Sequence, residues 1–304
     1  MGGRDYNEGK RFGEVCSKKR ASSLAKTFGL PGRGVRFGCC SALEKRRKGW
    51  GRMETILLEK RAGVAFITLN RPHVRNAISL EMADDLRQAV SECEEDDAVK
   101  VLVFTGMGDS FVSGGDLRQF MQARGRDEAQ PILDRVAGLL GAIDGCSKPT
   151  IAMINGHAIG GGCEFAVSCH FRFAAETAML GFVQIGLSIT TGWGGGSRLL
   201  DKLPESKALA LLLTGKRISA REAESCGLVD AVYPPDRLRE ETERFAAEIA
   251  AQPLAGIRAY LQLLRWKRDG MSLVERIRGE VSQCAELWGS DEHVRAVQRF
   301  LRKN

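Results

Sequence analysis

Two short, mostly apolar and β-prone runs, residues 55–59 and Val64–Leu69, predict a β-hairpin closed through Arg61-Ala62-Gly63. A period near 3.6 then begins after Ser79, which has the chemistry of an N-cap, and predicts a helix to about Glu95. Residues 101–105 form a continuous apolar run, as expected of a strand buried on both faces. A Gly-rich loop, helical patterns near 116–124 and 130–145, and a second buried strand at Thr150–Ile154 follow. A triple Gly then leads into a short apolar helix, Gly161–Ser168, and brief strands are expected at 172–174 and 178–180. From Ser197 onward nearly everything reads helical, with breaks at Gly215, Gly227, Pro234, Pro235 and Pro253. Strands alternating with helices define the α/β class. The expected organisation is a leader over 1–52, a core over 53–250 and a helical lid or oligomerisation region over 251–304. No internal repeat is visible.

Charge changes this picture only at one end. The 304-residue chain has a net charge of +7, but residues 1–52 hold 14 Lys/Arg against 4 Asp/Glu. The remainder holds 31 basic and 34 acidic residues, so the body is slightly acidic and its partners are not announced by charge. Three readings of the leader compete. It is an Arg-rich presequence, a nucleic-acid-binding tail centred on Lys45-Arg46-Arg47-Lys48, or an extension upstream of a working start at Met53; the third is favoured. The nine Cys include no C-x-x-C pair and only four His accompany them, which argues for free thiols rather than a structural zinc site or a disulfide framework. No apolar run approaches the ~18 residues a membrane helix needs.

Two Gly-rich segments carry the candidate chemistry: Phe111-Val112-Ser113-Gly114-Gly115-Asp116-Leu117, and Asn155-Gly156 through Gly160-Gly161-Gly162-Cys163-Glu164-Phe165. Each is expected to follow a buried strand. A Gly turn lets backbone approach a ligand closely, and a helix starting there presents unpaired N–H groups to it. Two such turns meeting in space could direct two N–H groups at one oxygen, which is an oxyanion hole. Glu164, one turn inside an apolar helix, is the candidate acid/base, because burial raises a carboxyl pKa. The competing reading makes it a helix cap or half of an internal ion pair. A P-loop and a G-x-S-x-G elbow are absent, and Gly192-Trp193-Gly194-Gly195-Gly196-Ser197 lacks the last Gly of a dinucleotide fingerprint.

Asn70-Arg71-Pro72 with Asn76-Ala77, the two Gly-rich segments, and Gly192-Trp193-Gly194-Gly195 occur in an order and at spacings that resemble the crotonase superfamily, the enoyl-CoA hydratase/isomerase family. The resemblance spans about Thr55 to Asn304. It implies a spiral of ββα units with a C-terminal helical region, assembled as trimers or dimers of trimers. It also implies an acyl-CoA substrate and no further cofactor, with the N–H groups of Gly115 and Gly161 holding the thioester oxygen. Arg71, Asp116, Leu117, Phe300 and Lys303 would contact the CoA, the last two often across a subunit boundary. The implied compartment is the cytoplasm, or the mitochondrial matrix in a eukaryote.

The sequence departs from the family pattern at the second acid. A hydratase of this family uses two Glu; Glu164 matches one, and Gln184 stands at the other position. An amide orients water but does not exchange protons near neutral pH. Single-acid chemistry is therefore open: isomerisation with Glu164 shuttling the proton, or decarboxylation of a malonyl-type CoA. Trp193-Gly194-Gly195, Glu164-Phe165 and Leu287-Trp288-Gly289 resemble the ethylmalonyl-CoA decarboxylase branch, although both Trp residues also suit ordinary packing. His157 and His170 are read as structural, His170 as a cation at a helix C-terminus. The alternative of another class is a catalytically weak binding protein that takes RNA on its basic leader.

Overall fold

The computed structural model describes residues 53–303. The leader readings, and the candidate CoA contact of the Lys303 side chain, lie outside the described residues. Strands β1 (Ile56–Arg61) and β2 (Val64–Leu69) form the expected hairpin. Helix α1 (Leu80–Glu95) starts where its cap predicts, with the Ser79 side chain accepting from the Met82 N–H. Its far end is closed by Lys148, a fully buried lysine whose Nζ donates to the Cys93 and Asp96 carbonyls at 2.6 and 2.7 Å. A cation on the last carbonyls of a helix satisfies acceptors that have no intrahelical partner.

Beyond this point the chain repeats one path: a strand in a large sheet, a short strand in a small sheet, then helix. The first turn is β3 (Val101–Gly106), β4 (Ser110–Val112), then α2 (Leu117–Phe120) and α3 (Arg126–Asp144). The second is β5 (Thr150–Ile154), β6 (His157–Ile159) and α4 (Gly161–Ser168). The third is β7 (Phe171–Ala175), β8 (Met179–Gly181) and a 3-10 turn, Val183–Leu187, followed by α5 (Gly195–Lys202) and α6 (Glu205–Thr214). The chain closes with β9 (Ile218–Ser219), α7 (Ala220–Ser225) and β10 (Ala231–Tyr233). This is the ββα spiral the resemblance implies.

The large sheet runs β1-β2-β3-β5-β7-β10, parallel from β2 onward. Side chains on a strand alternate between faces. Val64, Phe66, Val101, Val103, Ile151, Met153 and Phe173 therefore share one face, covered by Leu238, Ala246 and Ala250 of α8 (Pro235–Ala250). Their neighbours Ile67, Leu102, Phe104 and Ile154 point into the main core. There Phe165 of α4 meets Phe104 and Phe111 edge-on, with centroids 5.3 and 5.7 Å apart. The region after 250 is helical: α9 (Leu254–Arg268), α10 (Leu273–Leu287) and α11 (Asp291–Lys303). Arg258 pairs with Asp97 and Arg268 with Asp144, which ties α9 to the body. Among the described residues no helix is long and apolar enough to cross a membrane.

Several expectations change. The helix expected over 116–124 is only the four residues of α2, while that expected over 130–145 starts earlier, at Arg126. The Gly-rich turns do not follow the long buried strands directly; β4 and β6 intervene. The final third is not wholly helical, since β9 and β10 complete the two sheets. Strands of two or three residues are too short to show alternation, so the sequence pattern passes over them. The six Cys among the described residues are free thiols.

Candidate active site

Strands β4, β6 and β8 are parallel neighbours in the small sheet. Their C-terminal ends therefore lie on one side, and what leaves them converges. Gly115 follows β4, Gly161 follows β6, and Gln184 follows β8. A Cβ placed on Gly114 would lie 3.5 Å from the Gly161 nitrogen, so the two Gly turns touch. A Cβ on Gly162 would lie 2.0 Å from the Val112 carbonyl oxygen, which only glycine permits. Gly115 makes a parallel bridge with Ile78: Ile78 N donates to Gly114 O, and Asp116 N donates to Ile78 O. That bridge uses the groups flanking Gly115 and leaves its own N–H directed elsewhere. Gly161 opens α4, where the first N–H groups have no intrahelical acceptor.

Glu164 lies one turn further on and is 2% exposed. Its Oε2 accepts from the N–H groups of Trp193 and Gly195, at 2.8 and 2.9 Å. Its Oε1 accepts from Gln184 Nε2 at 2.9 Å. It does not cap its own helix and forms no ion pair among the described residues; the donor it takes from Gly195 is instead the first N–H of α5. Burial pushes its carboxyl above the ordinary carboxylate range, against the opposing pull of the Gly195, Trp193 and Gln184 hydrogen bonds. Gln184 is buried beside it, and Gln184 Oε1 is a buried acceptor without a partner among the described residues.

The remaining candidates divide. Arg71 donates to Asp116 Oδ2 at 2.8 Å and to the Ala77 carbonyl at 2.7 Å. Asp116 also accepts from the Arg118 N–H at the start of α2, and Arg71 holds its carboxyl below the usual range. This pair ties the residue after the Gly114–Gly115 turn to the segment that carries Arg71 and Ala77. Leu117, next to it, is 58% exposed. Phe300 is exposed on α11. Asn76, fully buried, accepts from the Arg71 N–H and donates to the Met107 and Ser110 carbonyls, holding the loop between β3 and β4. Asn155 does the same from the other side, accepting from Gly106 N and donating to Gly108 O. The Asn of both motifs thus shape the turns.

His157 accepts from Met179 N at 3.1 Å and joins β6 to β8. His170 is not the expected cation. Burial lowers its pKa to about 4, and its Nδ1 lies 2.8 Å from Thr150 Oγ1, so it is a neutral packing residue. Trp193 was legible in the sequence as part of a motif, but its position against the two Gly turns was not. Its indole lies against both Gly turns: a Cβ on Gly161 would be 2.0 Å from Trp193 Cζ3, and one on Gly115 would be 3.2 Å from Cζ2. Phe120 meets the indole edge-on at 6.3 Å. A Trp inside a Gly run was the available signal.

A parallel ββα spiral with two Gly turns and a buried carboxyl at the strand ends defines a crotonase-type fold. The profile of the enoyl-CoA hydratase/isomerase family matches residues 59–304. A probable enoyl-CoA hydratase from Rhizobium meliloti is 34% identical over 250 residues, covering 82% of this chain and 96% of that protein. A crotonyl-CoA hydratase from Syntrophomonas wolfei is 38% identical over 206 residues, covering 67% and 79%. The crystal structure of an enoyl-CoA hydratase from Bacillus anthracis superposes with a TM-score of 0.78 at 28% identity, covering 83% of this chain and 97% of that one. The chain belongs to the enoyl-CoA hydratase/isomerase family, within the crotonase superfamily.

Proposed function

We propose that this chain acts on acyl-CoA thioesters through an enolate held by the N–H groups of Gly115 and Gly161, with Glu164 as the single acid/base. The observation that carries the reading is Glu164 itself: a buried carboxyl, fixed by two backbone N–H groups, one helical turn from the point where the two Gly turns meet. Negative charge on the thioester oxygen is stabilised by donors already in place, one of them at the positive end of a helix. The raised pKa of Glu164 brings its proton exchange toward neutral pH. In hydration of an enoyl-CoA, water oxygen bonds to the β-carbon, its proton passes to Glu164, and the enolate α-carbon takes a proton back from Glu164. Gln184 Oε1, an open acceptor beside the carboxyl, supports a role in orienting that water. The acyl-CoA partner, assembly as a trimer or a dimer of trimers, and the CoA contacts at Arg71, Asp116, Leu117, Phe300 and Lys303 belong to the same proposal.

Gln184 also favours a second reading. With one carboxyl beside an oxyanion hole, a malonyl-type CoA could lose carbon dioxide: the Cα–carboxylate bond breaks, its electron pair becomes the enolate, and Glu164 or water protonates the α-carbon. The test incubates the full-length chain with crotonyl-CoA, a 3-enoyl-CoA and ethylmalonyl-CoA. Loss of enoyl absorbance, double-bond migration and carbon dioxide release are followed separately. Hydration is expected; carbon dioxide release alone would replace it with the second reading, and turnover of none would remove both. Gln184→Glu is expected to raise hydration at least about tenfold by supplying the second acid. It should also lower thermal stability, because two carboxyls would then share one buried site. An unchanged hydration rate in a folded Gln184→Glu protein would show that the second acid is not what limits the reaction.

A further inference from the structure

We propose that Trp193, backed by Phe120, is a specificity-determining residue that restricts the site to short acyl groups. This deepens the acyl-CoA reading and rests on it. The indole is 4% exposed and lies across both Gly turns. A Cβ on Gly161 would meet Trp193 Cζ3 at 2.0 Å and Cη2 at 2.4 Å, while Cζ2 reaches the Gly115 side. Phe120 fills the adjoining space: its Cε2 would be 2.5 Å from a Cβ on Gly115. Two aromatic rings therefore wall the place where the two turns meet.

The backbone fixes that wall. The Trp193 N–H is bonded to Glu164 Oε2, and the Trp193 carbonyl accepts from Arg198 Nη1 at 3.0 Å. Arg198 is itself paired with Asp144 at 3.3 Å. Gly192, just before, is covered by Leu133, whose Cδ2 would be 2.9 Å from a Cβ there. A substrate whose oxygen faces the Gly turns and whose α-carbon is within reach of Glu164 is bounded by the residue that holds Glu164. A long acyl tail has to displace a rigid indole packed edge-on against Phe120, and a close-packed wall of this kind resists displacement.

The test measures calorimetric binding of butyryl-, octanoyl- and lauroyl-CoA to the full-length chain. The wild type is expected to bind butyryl-CoA at least about tenfold more tightly than octanoyl-CoA, the discrimination a hydrophobic wall can supply. Trp193→Ala is expected to raise the octanoyl-to-butyryl affinity ratio about tenfold, and Phe120→Ala to move it in the same direction by less. Wild-type binding of octanoyl-CoA as tight as that of butyryl-CoA overturns the proposal without any variant. So does an unmoved ratio in either variant shown to be folded by its thermal transition. If the wild type binds all three thioesters poorly and alike, no tighter than free CoA, the acyl-CoA reading itself fails; tight binding without length discrimination leaves that reading standing and removes only this one.

Discussion

Glu164→Gln is expected to lower turnover of the preferred acyl-CoA by about 10²–10⁴-fold while leaving thermal stability at neutral pH equal or higher. The two effects separate if, as proposed, the carboxyl serves chemistry and not folding. Burial raises its pKa in the folded chain above the unfolded value. A group shifted in this direction adds stability below the unfolded value and loses it as pH rises through the folded one. At neutral pH the ionised form is thus a burden that an uncharged amide relieves. The amide fits: its oxygen can accept from Trp193 and Gly195, and Gln184 can turn its own amide to present Oε1 to the new NH2 group. The wild-type kcat/KM should rise with pH through a limb displaced above the ordinary carboxylate range, and the residual rate of the variant should lack that limb. Full turnover by the variant would remove Glu164 from the mechanism. A marked drop in its melting temperature would show that the carboxylate is structural.

Gly161→Ala is the second large effect. The added methyl has no room, since its position lies 2.0 Å from the Trp193 ring. Either the ring moves or the first turn of α4 does, and the second displaces the proposed oxyanion donor, the Gly161 N–H. Loss of one such donor costs about 10²–10³ in kcat, and overpacking of this kind costs about 1–3 kcal/mol of stability. Pairing it with Trp193→Ala distinguishes the causes. The double variant should recover stability relative to the sum of the single changes, because each removes the other's fault; contacting residues couple in this way. It should not recover turnover if the donor is what matters. Additive stability changes would mean that the ring and the turn do not constrain one another.

Much of the frame was legible along the chain. The hairpin, α1 with its Ser79 cap, β3, β5 and α4 are local: each is set by a period or a cap within a few neighbouring residues. Glu164 was legible as a carboxyl in an apolar helix beside Gly residues, and Gln184 as the amide at the second acid position. Other assignments failed for a physical reason. His170 was expected as a cation because a helix ends beside it; burial, which the local sequence does not report, makes it neutral. The Asn70-Arg71 and Asn76 motif was legible as a family mark, but its task of bracing a loop against Asp116 and Ser110 was not.

The sequence by itself determined the longer strands and helices, where the backbone could turn sharply, and which carboxyl lies in an apolar helix beside those turns. Tertiary structure decided what those parts do together. Strands β4 and β6 are three residues each, too short to carry a pattern, yet their parallel pairing brings the turns at Gly115 and Gly161 into contact. The groups that fix Glu164 arrive from residues 184, 193 and 195, and the indole of Trp193 spans turns that are remote from it in the chain. Contacts between distant segments have no period, because they are set by how layers pack and not by how neighbours alternate.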